Sequence, residues 1–364
     1  MVYPLVKIYF GYSLAIGITS QKLANQRFYT TLFSRAYALV ANIITLTMLP
    51  LVMWQASLVF QAKMQFPLLI LITYNVRYLV SYAVILYTVL SRGFRDTAFK
   101  EMQPLLRRLL QQKKGLKGVP WVRKSLMVLI CVKFFTVTWL CLTENVFLFY
   151  SVEPFNVASL ATFLFLTNAW NILHMVPMGY FLALWHIARG FDNVNKRLET
   201  IMTSKSSRHL KELQELWLLH GDLTKTALSI NTIYGPQMLG TRFDYFIIGV
   251  THAYWGAFFT FGVSTPIFWL IYGIVQYLIR ALDFFLIDYL ADLVLKYQSS
   301  AKHSWSEIPW TKEIDSYVTY VSSSKLKLWT CGFFQSNLSM WFDMISGIFY
   351  YILVLLQFHF VMQK

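Results

Sequence analysis

Seven stretches of this chain are long enough and apolar enough that water is a poor solvent for them. They are residues 36–59, 67–91, 125–150, 157–187, 240–262, 266–290 and 338–362. A helix needs about 20 predominantly apolar residues to cross the hydrocarbon core of a bilayer. In lipid every backbone polar group has to be paired within the protein, which restricts such segments to helices or a closed barrel. These stretches are far above strand length. The expected fold class is therefore an all-α membrane protein with seven transmembrane helices. Composition agrees: 57% of the 364 residues are hydrophobic and only 13% are charged, against about 25% charged in soluble domains.

The connections set the orientation. Residues 60–66, 151–156 and 263–265 are short, whereas 92–124, 188–239 and 291–337 are long and basic. The first 35 residues and the three long connections carry 26 Lys and Arg, and the opposite side carries only Lys63 and Lys364. Basic loops stay in the cytosol, so the N-terminus is expected there and the C-terminus outside. The same rule accounts for the net charge of +15 without nucleic acid as a partner. A G-protein-coupled receptor would have the opposite orientation. The third span here also ends without an Asp-Arg-Tyr triplet.

The long connections read as structured. Leu210, Leu213 and Trp217 recur at helical spacing, and residues 310–334 read as a further helix before the last span. Amphipathic faces need something to bury them, so the membrane helices are expected to extend into a packed cytosolic anchor bundle. The opening "MVYPLVKIYFGYSLAIG" lacks the marks of a signal peptide and reads as a short helix against the membrane face. The three cysteines, Cys131, Cys141 and Cys331, show neither zinc spacing nor a disulfide framework. Without HExxH, a phosphate loop or a nucleophile elbow, no enzymatic chemistry is expected, and no cofactor or catalytic metal. The sequon Asn337-Leu338-Ser339 falls on the cytosolic side and should stay unmodified.

Ionisable residues inside spans are the default functional candidates. Here they are Arg77, Lys133, Glu144, Asp244, Arg280, Asp283 and Asp288. Arg77 reads either as one half of an ion pair, with Glu144 a possible partner, or as a polar group in a ligand cavity. Tyr78, Trp139 and Trp170 are placed to line an aromatic cavity with few polar groups, suited to small, flat or amphipathic ligands.

The end of the chain, "YYILVLLQF", sets Gln357 in an apolar run. Ser346, Tyr350, Val354 and Gln357 share one helical face. Such a face has to meet protein or water. It either lines a pore or hydrogen-bonds across a helix interface. Tyr351, five apolar residues, then Gln357 and Phe358 resemble the signature of the insect gustatory receptors, with Tyr350 in place of the usual Thr. "SSSKLKLWTCGFFQSNLSMW", with Gly332 and Phe334, and "INTIYGPQML", with Asn231, Tyr234 and Gly235, resemble that family's approaches to its last and fifth spans.

The resemblance implies a ligand-gated cation channel at the plasma membrane of gustatory receptor neurons, a homo- or heterotetramer with other gustatory receptor subunits. Gln357 and Phe358 would stand at the constriction of a pore also lined by Val354, Tyr350 and Ser346. Arg77, Tyr78, Trp139, Trp170, Tyr254 and Trp255 would line the pocket for a small-molecule tastant. Sugar-sensing members carry Glu just after the signature Tyr; Ile352 here points to bitter or aversive compounds. Residues 1–35 would be a cytosolic segment, and 36–290 would hold spans one to six, the pocket and the cytosolic pieces 92–124 and 188–239. Residues 291–337 would be the anchor region, and 338–364 the pore-lining span. A non-conducting accessory subunit and a membrane transporter are the alternatives.

Overall fold

A computed structural model describes residues 2–24, 27–63, 68–93, 104, 122–151, 156–203, 209–262, 267–300, 312–323 and 325–362. Its helices are α1 (Val2–Ala15), α2 (Leu32–Lys63), α3 (Leu68–Thr88), α4 (Lys124–Ser151), α5 (Val157–Thr203), α6 (His209–Gly262), α7 (Ile267–Ser300), α8 (Lys312–Ser323) and α9 (Leu338–Met362). Each of the seven apolar stretches falls largely within one of the long helices. Among the described residues, four segments are suited by length and composition to cross a membrane: Leu32–Gln55, Lys124–Val146, Val157–Ile201 and Leu338–Phe358. The helices also run past the apolar stretches, α5 to Thr203, α7 to Ser300, and α6 starting from His209. Most of the basic connection 92–124 lies outside the described residues.

Helix starts follow their side chains. Asn156 Oδ1 accepts the Ser159 amide at 2.7 Å and Ser159 Oγ accepts the Asn156 amide at 2.8 Å, a reciprocal cap for α5. Asn337 Oδ1 accepts the Met340 amide at 2.9 Å, so the sequon asparagine serves as the N-cap of α9.

The centre of the bundle is α5. Its residues Tyr180 to Ile187 are almost all buried, as befits a helix surrounded on every side. It packs on α2, α3, α4, α6 and α7. The N-terminal helix α1 turns Tyr9 and Phe10 inward, each 2% exposed, and the Tyr9 hydroxyl donates to the Met175 carbonyl.

Two points correct the all-α expectation. Gln21–Ala24 (β1) and Arg27–Thr30 (β2) form an antiparallel pair, with Gln21 opposite Thr30. The helix expected over 310–334 stops at Ser323, and Trp329–Thr330 (β3) pairs with Phe334–Gln335 (β4). The turn explains why. Cys331 and Gly332 adopt φ of 50° and 76°, the left-handed region that a glycine enters without steric penalty. The Phe333 amide then closes on Thr330 O and the Ser336 amide on Leu328 O.

The face that α9 buries is narrow. Met344 and Ile348 pack on Tyr245 of α6 and on Ala281 and Phe284 of α7, with Ile352 extending the contact. A Cβ at Gly249 would lie 2.8 Å from Ile348 Cδ1. Small residues permit this approach where lipid supplies little drive for association. Gly249→Leu is therefore expected to push α9 off α6. Its measurable sign is a protein that still reaches the membrane but melts several degrees lower, while Gly273→Leu, facing open space, leaves the melting temperature unchanged.

Away from the apolar stretches, α8 docks through Tyr317 and Val321, both buried. Tyr317 and Tyr320 pack edge-on against the ring of His220 at 6.1 and 5.9 Å. Burial, opposed by the bond to the Gln298 carbonyl, pushes the His220 pKa below its ordinary value. A histidine kept neutral by burial stabilises the fold above the unfolded value of about 6.5. That contribution fades as pH falls below it. Acidification from pH 7 to 5 should lower the melting temperature more in the native protein than in a His220→Asn variant.

Candidate functional site

Five helices line a cavity. Arg77 comes from α3, Glu144 from α4, Trp170, His174 and Pro177 from α5, Asp244 and Tyr245 from α6, and Arg280, Asp283 and Phe284 from α7. Its volume is about 30 Å³, room for roughly two water molecules. Pro177 has no amide proton to give the Leu173 carbonyl, and both residues line the space.

Charged side chains stand in these walls beside Leu140, Trp170, Leu173 and Phe284. The Arg77 guanidinium lies 3.1 Å from Asp244 Oδ1 and 5.7 Å from the Trp170 ring. Glu144 accepts from Arg280 on one oxygen and lies 2.7 Å from His174 Nε2 with the other. Below them Lys133, fully buried, reaches Asp283 Oδ2 at 2.7 Å and its carbonyl at 3.1 Å, while Thr136 donates to Oδ1 at 2.6 Å. Arg77 is one half of an ion pair, but its partner is Asp244 and not Glu144, the possible partner named from sequence. Because α3 packs along α6, Arg77 meets Asp244 first, whereas Glu144 on α4 faces α5 and α7. Every one of these ions has an opposite charge beside it, the condition for tolerating charge in a low dielectric. The Tyr245 hydroxyl is different: the residue is 1% exposed and its oxygen has no hydrogen-bond partner among the described residues.

Of the pocket residues expected from sequence, Arg77 and Trp170 stand in the cavity wall. Tyr78 is half-buried, packed on the core and donating no side chain to the wall. Trp139 lies against Phe135, ring centroids 6.2 Å apart, more than a turn from Glu144. Tyr254 is half-buried near the end of α6. The side chain of Trp255 lies outside the described residues. Sequence reasoning listed Glu144, Asp244, Arg280 and Asp283 as intramembrane charges without assembling them, and missed Tyr245, Phe284 and Pro177.

A second polar link leads from this region to α9. Arg242 holds both carboxylate oxygens of Asp288, with Nη1 to Oδ2 at 2.9 Å, and its guanidinium lies 5.1 Å from the Phe334 ring in β4. Asn231 Nδ2 donates to Trp329 O at 2.7 Å and its Oδ1 accepts from Tyr180. The hairpin that feeds α9 is thus fastened to α5, α6 and α7.

On α9, turning about 100° per residue puts Gln357 roughly 180° from Ile348, with Ser346 and Tyr350 close to the same direction. All three are exposed, as is Asp343 on the same stripe, and Val354 is half-buried. Tyr351 turns the other way, its ring 5.7 Å from that of Phe246 on α6, and takes the edge of Tyr350 at 5.5 Å. Phe358, one heptad beyond Tyr351, is 64% exposed.

The comparisons with known proteins fit this architecture. The fold resembles the olfactory receptor OR5 of the insect Machilis hrabei, solved alone and in complex with eugenol. Each likeness has a TM-score of 0.65 at 15% identity and covers 98% of both chains. A Drosophila erecta protein described as "Putative gustatory receptor 59b" is 64% identical over 281 residues, which is 77% of this chain. The chain spans 48% of that relative's length. The family model for 7tm chemosensory receptors matches residues 6–362. This mostly helical membrane protein therefore belongs to the 7tm chemosensory receptor family, a family of receptors and not of enzymes.

Proposed function

We propose that this chain is a gustatory receptor that acts as a tastant-gated cation channel in the plasma membrane of gustatory neurons. It has seven spans, a cytosolic N-terminus and an extracellular C-terminus. The observation that carries this reading is the stripe on α9. An otherwise apolar helix turns Asp343, Ser346, Tyr350 and Gln357 away from its own bundle. An acid and an amide facing lipid would be left unsatisfied at a cost of several kcal/mol. A symmetric tetramer, of this chain or with related subunits, would bring four such stripes around a watery axis. Phe358 and Gln357 would form its constriction, the long ends of α5, α6 and α7 with α8 would hold the subunits together, and the five-helix cavity would take the ligand.

The 64% identity to a protein described as a gustatory receptor favours taste over smell. Ile352 stands where the sugar branch carries Glu, which favours bitter or otherwise aversive compounds. A ligand opens such a channel only by the extra affinity it has for the open bundle.

Whole-cell recording tests the reading. Cells expressing the chain should show a cation current evoked by aversive compounds. Gln357→Ala should change its conductance or ion preference, and Phe358→Ala should raise the leak without ligand. A current indifferent to both substitutions would remove α9 from the pore. Silence with the protein at the surface would favour an accessory subunit.

A further inference from the structure

Asp343 is the one Asp, Glu, Lys or Arg in α9, and the structural reasons for an acid in a helix do not account for it. Asn337 caps α9, so Asp343 stands beyond the first turn, where a carboxylate gains from the helix dipole. It is exposed and has neither a hydrogen bond nor an ion partner among the described residues. Lys325 and Lys327, exposed in the stretch before β3, do not reach it. The acids inside the bundle, Glu144, Asp244, Asp283 and Asp288, each hold a cation. Nor does the inner leaflet suit Asp343, since that surface is itself negative and attracts Lys and Arg.

The exposed side of α9 is sorted. At about 100° per residue, Ser339, Asp343, Ser346 and Tyr350 fall within about 40° of the direction opposite Ile348, and all four are exposed. From Leu338 to Tyr350 no apolar side chain falls in that arc. Phe342 and Phe349, 57% and 58% exposed, stand together to one side of it. A helix wrapped in lipid has no use for such a division between a polar line and an aromatic flank. Past Tyr350 the line turns apolar at Leu353, which is exposed, and then reaches Gln357. A polar approach thus leads into a narrower apolar stretch, with the acid near the start of the approach.

We propose that Asp343, one from each subunit around the axis, draws cations to the cytosolic mouth of the pore and sets its preference for them. This rests on α9 lining a pore with its start in the cytosol, as proposed above, and adds the source of the ion preference. The 14 residues from Asp343 to Gln357 span about 21 Å of helix, more than two screening lengths of about 8 Å at physiological salt. The acids therefore act on the supply of ions and not on the constriction. Carboxylates converging on a watery mouth with low-dielectric walls raise a potential of several kT. That potential enriches cations and repels anions, as rings of acids do in cation channels at large. Because the enrichment lies on the cytosolic side, it favours outward cation flow.

The test is single-channel current in inside-out patches from cells expressing the full chain, in symmetrical KCl. Asp343→Asn should reach the surface at native levels, because the carboxylate holds nothing in the fold. Its outward conductance at about 0.05 M KCl should be about two- to fivefold lower than native, with inward conductance changed much less. The difference should vanish near about 1 M KCl, where the screening length is about 3 Å. Asp343→Lys should lower the outward conductance further and move the zero-current potential in a KCl gradient toward that of chloride. Asp343→Glu should behave as native. Gln357→Ala is recorded beside them. If Gln357→Ala changes conductance while Asp343→Asn and Asp343→Lys do not, α9 keeps its place in the pore and this inference falls. If none of the three changes the current, the pore reading falls with it. An effect on inward current alone, or a loss that persists at high salt, also overturns the inference, the first by placing the acid on the outer side and the second by marking a structural role.

Discussion

Asp288→Ala is expected to remove most of the folded protein, a loss of about 3–5 kcal/mol in stability. Asp288 is fully buried and Arg242 is 3% exposed on its side chain. Removing the carboxylate strands a guanidinium that cannot become neutral, in a place where neither water nor lipid headgroup reaches it. The loss also reaches α9, because the same guanidinium carries the Phe334 ring of the preceding hairpin. Thermal unfolding of purified protein and surface yield both read it. The decisive comparison is the double variant Arg242→Met with Asp288→Leu. With no charge left unpaired, it should recover most of the yield that the single variant loses. If the single variant folds as well as the native chain, the pair is not buried as described.

Ile348→Asp is expected to be as damaging, and its contrast with Tyr350→Asp carries the information. Ile348 is fully buried between α6 and α7, directly over Gly249. A carboxylate there would need desolvation with no cation beside it, at a cost of several kcal/mol. Tyr350 is 63% exposed on the opposite face. If that face lines a water-filled axis, Tyr350→Asp should reach the surface near native levels. If the face meets lipid, Tyr350→Asp should fail as Ile348→Asp does. Surface biotinylation of the two variants side by side separates the cases.

The long helices were legible because apolarity over 20 residues depends on no partner. The stripe on α9 was legible for a similar reason: a helical period fixes which residues share a face, and Gln357 falls opposite Ile348 by spacing alone. The ion pairs were less so. Arg77, Glu144, Asp244 and Arg280 each stood out as charges in apolar runs, but which one meets which depends on helix neighbours and rotation, and neither is written in a single helix. Hence Glu144 was offered to Arg77, and Tyr245, an ordinary aromatic in its own helix, was passed over. The hairpin at 329–335 escaped because its strands are two residues each, too short for alternation to register. Gly332 was its one local sign, and the Ser-rich stretch before it marked the true end of α8.

The free face of α9 is proposed to line a cation-conducting pore. The direct measurement is current from a chain with Cys131, Cys141 and Cys331 replaced and Gln357→Cys introduced, before and after a positively charged, membrane-impermeant thiol reagent. Modification is expected to reduce the current sharply, and with Ile348→Cys, buried against α6, to leave it unchanged. Full modification at position 357 with the current intact would contradict it.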